Sequence, residues 1–275
     1  MLDLASRRKV VEDVIAQSPT IASSTPGGSL DSEFISLSDL PPLSSSLPHF
    51  PNVQRQSPIA ILNSDTLSAA RSLLTSSPRL HGKVAVLNLA NDQEPGGGWR
   101  YTLSTTQEEA LCYSSTLYAT LKPEFYPWPN LGPGSAAGIY SPGIVVFRDT
   151  LDNDLAVLPS RERFVVAVLT AAAPCRPKLT EDRLGFARQS DLDDLTDKIR
   201  WVLRCAAQHG KTCLVLGAFG CGAFGCPPRL VAREMRKVLE DEEFEGWFEV
   251  VVFAIYAAGP TGQENLQAFR EVFGA

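Results

Sequence analysis

The sequence predicts a three-layer α/β/α fold with a mixed, mostly parallel central sheet and an N-terminal helical extension. Three observations carry this. Segments such as VAVLNLA (84–90) and CLVLGAF (213–219) are apolar along their whole length, as strands covered on both faces are. Helical patterns alternate with these strands. Glycine-rich loops follow both of them, at the end of the strand where open α/β sheets hold ligands.

In chain order, residues 4–17 read as a helix whose apolar face is Leu4, Val10, Val11, Val14 and Ile15. Residues 18–57 are rich in Ser and Pro and poor in long apolar runs, so a long loop or partly disordered arm is expected. This divides the chain into an accessory segment, 1–57, and a main α/β domain, 58–275. PIAIL (58–62) reads as a short buried strand, and Asn63-Ser64-Asp65 as a turn capping a helix over 66–76. After the strand at 84–90 and a glycine loop comes a helix predicted over 105–122. Thr105 or Thr106, with Glu108 or Glu109 three residues on, fits a capping box at its start. Residues 123–143 read as a Pro/Gly/aromatic loop, and 144–148 and 163–173 as strands. A helix over 192–209, a strand over 213–219, a helix over 229–244, a strand over 248–257 and a closing helix over 263–273 complete the order.

The 275 residues are enough for a well-buried core, and 44% hydrophobic with 20% charged residues is an ordinary globular composition. With 25 Lys and Arg against 31 Asp and Glu the net charge is −6, so direct nucleic-acid binding is not expected, although a local basic pocket could hold an anion. No apolar run approaches the roughly 18 residues of a membrane span. The N-terminus has no uncharged apolar stretch of the secretory kind, and Asp3, Glu12 and Asp13 argue against a transit peptide. The six cysteines are dispersed, which suits reduced thiols and a cytosolic or nuclear location. Cys221 and Cys226 lie close together but lack His or Cys partners at zinc spacing, so no metal site is expected.

Three stretches could carry chemistry. NLANDQEPGGG places Asn88, Asn91 and Gly96-Gly97-Gly98 beyond a buried strand, where glycine lets backbone approach a ligand closely. Gln107-Glu108-Glu109 opens the next helix, whose dipole favours ionised carboxylates while burial in a cleft would favour neutral ones. Gly217-Ala218-Phe219-Gly220-Cys221-Gly222-Ala223-Phe224, closed by Gly225, could offer a cradle of N–H groups to a diphosphate. Only His49, His81 and His209 are available as imidazole bases, and there is no nucleophile elbow, P-loop or dinucleotide fingerprint.

Taken in order, the strand, the N-x-x-N, the PGGG, an eight-residue spacer, QEE and the late GAFGCGAFG loop resemble poly(ADP-ribose) glycohydrolases of the microbial type. The resemblance covers roughly residues 58–273 and implies a macrodomain. It implies that Glu109 is the catalytic acid and that Glu108 holds the terminal ribose hydroxyls. Gly96, Gly97, Gly98 and Gln107 would then line the ribose and diphosphate, with Asn88 or Asn91 reaching the ribose. Residues 217–225 would bind the diphosphate, and Phe224 would pack on the terminal ribose. Phe253 would either approach the adenine or serve the core.

The reaction implied is hydrolysis of ribose–ribose O-glycosidic bonds, through an oxocarbenium-like centre, with Glu109 as acid and then base. No metal or organic cofactor is implied. The partners implied are ADP-ribose, poly(ADP-ribose) and ADP-ribosylated proteins, met by a monomer. A non-catalytic ADP-ribose reader would not need both glutamates. A mono-ADP-ribosyl or O-acetyl-ADP-ribose hydrolase would present much the same motifs.

Overall fold

The computed structural model describes residues 2–55 and 58–274. Six helices are α1 (Leu4–Ser24), α2 (Thr66–Ser76), α3 (Gln107–Ser114), α4 (Gln189–Gln208), α5 (Pro228–Leu239) and α6 (Pro260–Phe273). Seven strands are β1 (Glu33–Ser36), β2 (Ala60–Leu62), β3 (Val84–Leu89), β4 (Ala137–Val146), β5 (Phe164–Ala171), β6 (Cys213–Leu216) and β7 (Val250–Ala254). They form one sheet in the order β1-β4-β5-β3-β6-β7-β2. The run from β5 to β2 is parallel, and β4 and β1 continue it antiparallel at one edge.

Alternation along the central strands distributes the core to both faces. Ala85, Leu87, Leu169, Leu214 and Leu216 pack with residues of α4, α5 and α6. Val84, Val86, Val166, Val168 and Val215 pack with residues of α1, α2 and α3. The loops after β3 and β6 therefore emerge side by side between two helical layers. The three-layer, mostly parallel architecture agrees with the one the sequence predicts.

The largest departure is the Ser/Pro segment, which is not a loop throughout. Helix α1 runs past Ser18-Pro19 to Ser24, and Ile21 and Ala22 prolong its buried face. Residues 33–36 pair with β4, Ile35 O accepts from Trp201 Nε1 at 2.9 Å, and Leu40 and Leu43 are buried. Phe50 packs edge-on to Trp247, with ring centroids 5.2 Å apart. Each anchor meets a residue more than a hundred positions away, so no local periodicity announces it. Residues 56 and 57, where the accessory and catalytic parts are expected to join, lie outside the described residues.

Other boundaries moved for visible reasons. The helix expected over 105–122 ends at Ser114, because Ser115 turns extended and bridges to Val146. β4 begins at Ala137 rather than 144; the register shift between Ser141 and Ile144, at Pro142-Gly143, hid its first half in a loop-like sequence. β2 is a half-buried edge strand, not a buried one. Asp65 caps α2 as expected, accepting from Leu67 N and Ser68 N at 3.0 Å each.

Candidate active site

The glycines after β3 each have a separate reason to be glycine. Gly96 and Gly97 have φ of +68° and +54°, a region side chains disfavour. A Cβ on Gly97 would lie 3.0 Å from both Glu108 Oε2 and Glu109 Oε1, so the two carboxylates flank this residue. A Cβ on Gly98 would lie 2.2 Å from Ser104 Oγ and 2.3 Å from Thr102 Oγ1. The loop is held from below by Trp99, fully buried and packed on Tyr118 with ring centroids 4.4 Å apart.

Helix α3 carries the acids into this loop. Gln107 fastens its first turn to β3: Oε1 accepts from Leu89 N at 2.8 Å, and Nε2 donates to Leu87 O at 2.8 Å and Thr66 Oγ1 at 3.1 Å. Glu108 turns under the loop, with Oε1 accepting from Asn88 Nδ2 at 3.2 Å and Oε2 from Asn91 N at 2.9 Å. Glu109 Oε1 accepts from Gly98 N and Ser104 Oγ, each at 2.9 Å, and its Oε2 from the Thr106 hydroxyl. The expected capping box does not form. Thr106 is the N-cap residue, but its hydroxyl and the Glu109 carboxylate face each other instead of the helix backbone.

Both acids are buried, at 3% and 5% exposure. Burial pushes the Glu108 carboxyl up to about 8; the charge of neighbouring Glu109 adds to the rise, and the bonds from Asn91 and Asn88 oppose it. Burial thus favours the neutral form of Glu108 at neutral pH.

The opposite wall is the loop after β6. Gly220 (φ +76°) is confined by Ala173 and Cys226, and turns close from Cys221 N to Ala218 O, Gly225 N to Gly222 O and Cys226 N to Gly220 O, each at 3.0 Å. The N–H groups of Gly222, Ala223 and Phe224 make no hydrogen bond among the described residues. Between the walls lies a cleft of 360 Å³, lined by Asn91, Gly97, Gly98, Gln107, Glu108, Glu109, Ala218, Phe219, Gly220, Gly222, Ala223 and Phe224 among others. A second compartment, of 320 Å³, shares Leu89, Thr106, Gln107, Ala218 and Gly222 with it and runs on past Asp65, Leu151 and Ile255 to Tyr256. Tyr256 OH donates to Asp152 Oδ2 at 2.6 Å at this far end.

The sequence-predicted residues divide accordingly. Asn91 is on the cleft wall, whereas Asn88 is wholly buried behind Glu108 and also donates to Thr170 Oγ1 at 3.3 Å. Cys221 is buried against its own loop, and Gly217 sits tightly against Leu89. Phe253 lines neither compartment. It is 0% exposed and packs on Phe269 and Phe273, with centroids 5.1 and 5.0 Å away, so it is a core residue and the adenine assignment is corrected. Its position on central β7, facing α6, is the reason. Sequence reasoning missed Ser104 and Thr106, which hold Glu109, and Arg7, whose guanidinium donates to Leu103 O in the spacer. The serine and threonine lay within the spacer and could have been suspected there; Arg7, 96 residues away, gave no signal. No group of three or more His, Cys, Asp or Glu that could hold a metal occurs among the described residues.

A three-layer sheet with a glycine-lined acidic cleft at its carboxyl edge defines a macrodomain-like α/β protein. The model of the microbial-type PARG catalytic domain matches residues 38–149. The poly(ADP-ribose) glycohydrolase from Thermomonospora curvata superposes with a TM-score of 0.76 at 30% identity, over 98% of this chain and 99% of that one. The enzyme from the same organism bound to the inhibitor ADP-HPD gives the same score and identity, over 97% and 99%. The poly(ADP-ribose) glycohydrolase from Deinococcus radiodurans in complex with ADP-ribose gives 0.71 at 30% identity, over 92% and 97%. The chain belongs to the microbial-type poly(ADP-ribose) glycohydrolase family. No curated protein matches it.

Proposed function

We propose that this chain hydrolyses the ribose–ribose O-glycosidic bond of poly(ADP-ribose), releasing ADP-ribose. The observation that carries the reading is the pair of buried, adjacent carboxylates flanking Gly97, opposite a glycine-rich loop with unengaged N–H groups. Both acids line the cleft, and Glu109 is assigned the acid's role because its carboxylate meets the hydroxyls of Ser104 and Thr106, whereas Glu108 is held by the amides of Asn88 and Asn91. The Glu109 Oε2, whose one hydrogen-bond partner among the described residues is the Thr106 hydroxyl, delivers a proton to the departing ribose oxygen. Positive charge develops at the anomeric carbon, and the substrate's own diphosphate stabilises it. The resulting carboxylate then takes a proton from the attacking water. Glu108 holds the hydroxyls of the terminal ribose, the loop 217–225 holds the diphosphate, and the second compartment takes the adenosine. Ser104 and Gly98 N fix the Glu109 rotamer, which reduces the entropy lost on reaching the reactive geometry.

Residues 1–57 act in this reading as an accessory segment bracing the catalytic part. The chain acts as a monomer in this reading. No helix among the described residues is long and apolar enough to cross a membrane. Free cysteines, five of the six buried, support a cytosolic or nuclear location.

The test is release of ADP-ribose from poly(ADP-ribose)-modified protein by wild type and Glu109→Gln, with ADP-ribose binding followed by calorimetry. Turnover is expected to fall by more than about 100-fold while binding persists. A wild type that binds ADP-ribose but does not release it from polymer would instead be a reader, or a hydrolase of another ADP-ribosyl linkage.

A further inference from the structure

Beyond Phe224 the diphosphate loop has a second side. Phe224 is half-buried and lines the catalytic cleft, yet it and Gly225 also line a separate depression of 470 Å³. The rest of that depression comes from the segment after β5, residues 175–188, through Arg176, Leu179, Glu181 and Arg183 among others. The segment folds as a small hairpin. Leu179 and Phe186 form an antiparallel bridge, and Thr180 N and Ala187 N bond to Gly185 O and Lys178 O at 2.9 and 2.7 Å. Arg176 N donates to Phe224 O at 2.8 Å, so the hairpin is tied to the very loop that closes the cleft.

The charge on this hairpin runs against that of the whole chain. It carries Arg176, Lys178, Arg183 and Arg188 against Glu181 and Asp182, in a protein of net charge −6. Arg188 is engaged by Asp191 at 3.0 Å, and Asp182 is engaged within its own turn by Thr180 Oγ1 at 2.6 Å and Leu184 N at 3.0 Å. The Arg176 and Arg183 side chains, both exposed, have no ion pair or hydrogen bond among the described residues. Two unpaired guanidinium groups, one carboxylate and an aromatic edge make a surface suited to a nucleotide: diphosphate to the arginines, a ribose hydroxyl to Glu181.

We propose that this depression is a second subsite, which binds the ADP-ribose unit preceding the one whose ribose is cleaved. The inference rests on the proposed function, because the substrate then continues past the terminal ribose on the far side of Phe224. The departing unit must leave the cleft near that residue, and the arginines meet its diphosphate there. The hairpin thereby distinguishes polymer from a single ADP-ribose bound to protein, which the catalytic cleft alone treats alike.

The experiment compares ADP-ribose with a purified oligomer of two to three units, both measured on the Glu109→Gln protein so that neither is consumed. The oligomer is expected to bind about tenfold more tightly than ADP-ribose, a difference of about 1.4 kcal/mol. Arg176→Glu/Arg183→Glu in the same background is expected to abolish that advantage and leave ADP-ribose affinity unchanged. Arg176→Lys/Arg183→Lys should restore part of it. The slope of log affinity against log salt for the oligomer should fall by about one in the charge-reversed protein. Equal affinities for oligomer and ADP-ribose before charge reversal, or an unchanged advantage after it, would overturn the subsite while leaving the proposed reaction intact. Absence of ADP-ribose binding to the wild type would overturn both.

Discussion

A methyl group on Gly97 would press on the carboxylate oxygens of both Glu108 and Glu109, in a left-handed backbone that alanine already resists. Gly97→Ala should therefore cost about 1–3 kcal/mol in chemical denaturation and also lower turnover. Gly222 faces the other way. A Cβ there meets no atom within 4 Å, and the residue lines both compartments. Gly222→Val should leave the melting temperature unchanged and weaken ADP-ribose binding by roughly tenfold in calorimetry. An unaltered affinity would move the diphosphate away from this loop. Glu108 supplies a pH test. Burial raises its carboxyl to about 8, so between its ordinary value and about 8 the native state binds a proton that the unfolded chain has released. Stability from this group is thus present at low pH and lost as pH rises toward 8. Glu108→Gln, neutral throughout but setting its NH2 against one of the donors Asn88 Nδ2 and Asn91 N, should lower the melting temperature at pH 5 and lower it less at pH 8, in thermal unfolding at both pH values. The identities of these residues were legible in the sequence as GGG and QEE. The division of labour within QEE was not, because it depends on which hydroxyls and N–H groups each carboxylate meets.

Helix α3 shows how an element only eight residues long can be positioned. Its one amide side chain, Gln107, bonds to a donor and an acceptor on β3, at Leu89 N and Leu87 O. Gln107→Ala would leave these backbone groups unpaired, at a cost of about 1–3 kcal/mol for each that stays buried. The expected result is a lower melting temperature and a fall in kcat larger than the loss of ADP-ribose affinity. Affinity and kcat falling together would give Gln107 a direct part in holding ligand. Elements with continuous apolar runs, β3, β5, β6 and β7, were readable because burial on both faces leaves a signal in the sequence itself. Elements specified by distant partners were not. β1 exists because β4 offers it an edge and Trp201 bonds to Ile35. The hairpin at 175–188 has one bridge of its own and is fixed by its tie to Phe224.

Across the whole molecule, residues 1–57 contribute to both cores: Ile35, Leu40 and Leu43 to one, and helix α1 to the other. Val10, Val11, Val14 and Ile21 of α1 pack in the cluster that holds Trp99, Leu111 and Tyr113, beside the catalytic loop and α3. Arg7 adds a bond to Leu103 O, and Asp13 pairs with Arg148. Each buried aliphatic side chain contributes about 1.5–3 kcal/mol, so four together rival the roughly 5–15 kcal/mol of a typical domain. A chain lacking residues 2–24 is therefore expected to lose its cooperative thermal transition as well as its turnover. A truncated protein that melts sharply and still cleaves polymer would confine α1 to a peripheral role. Both ends of the sheet carry a further consequence. β1 has four residues and β2 only three, so each rim exposes few unpaired N–H and C=O groups to solvent. A second sheet has almost no template there on which to add a strand, and the protein should resist edge-to-edge aggregation even when concentrated.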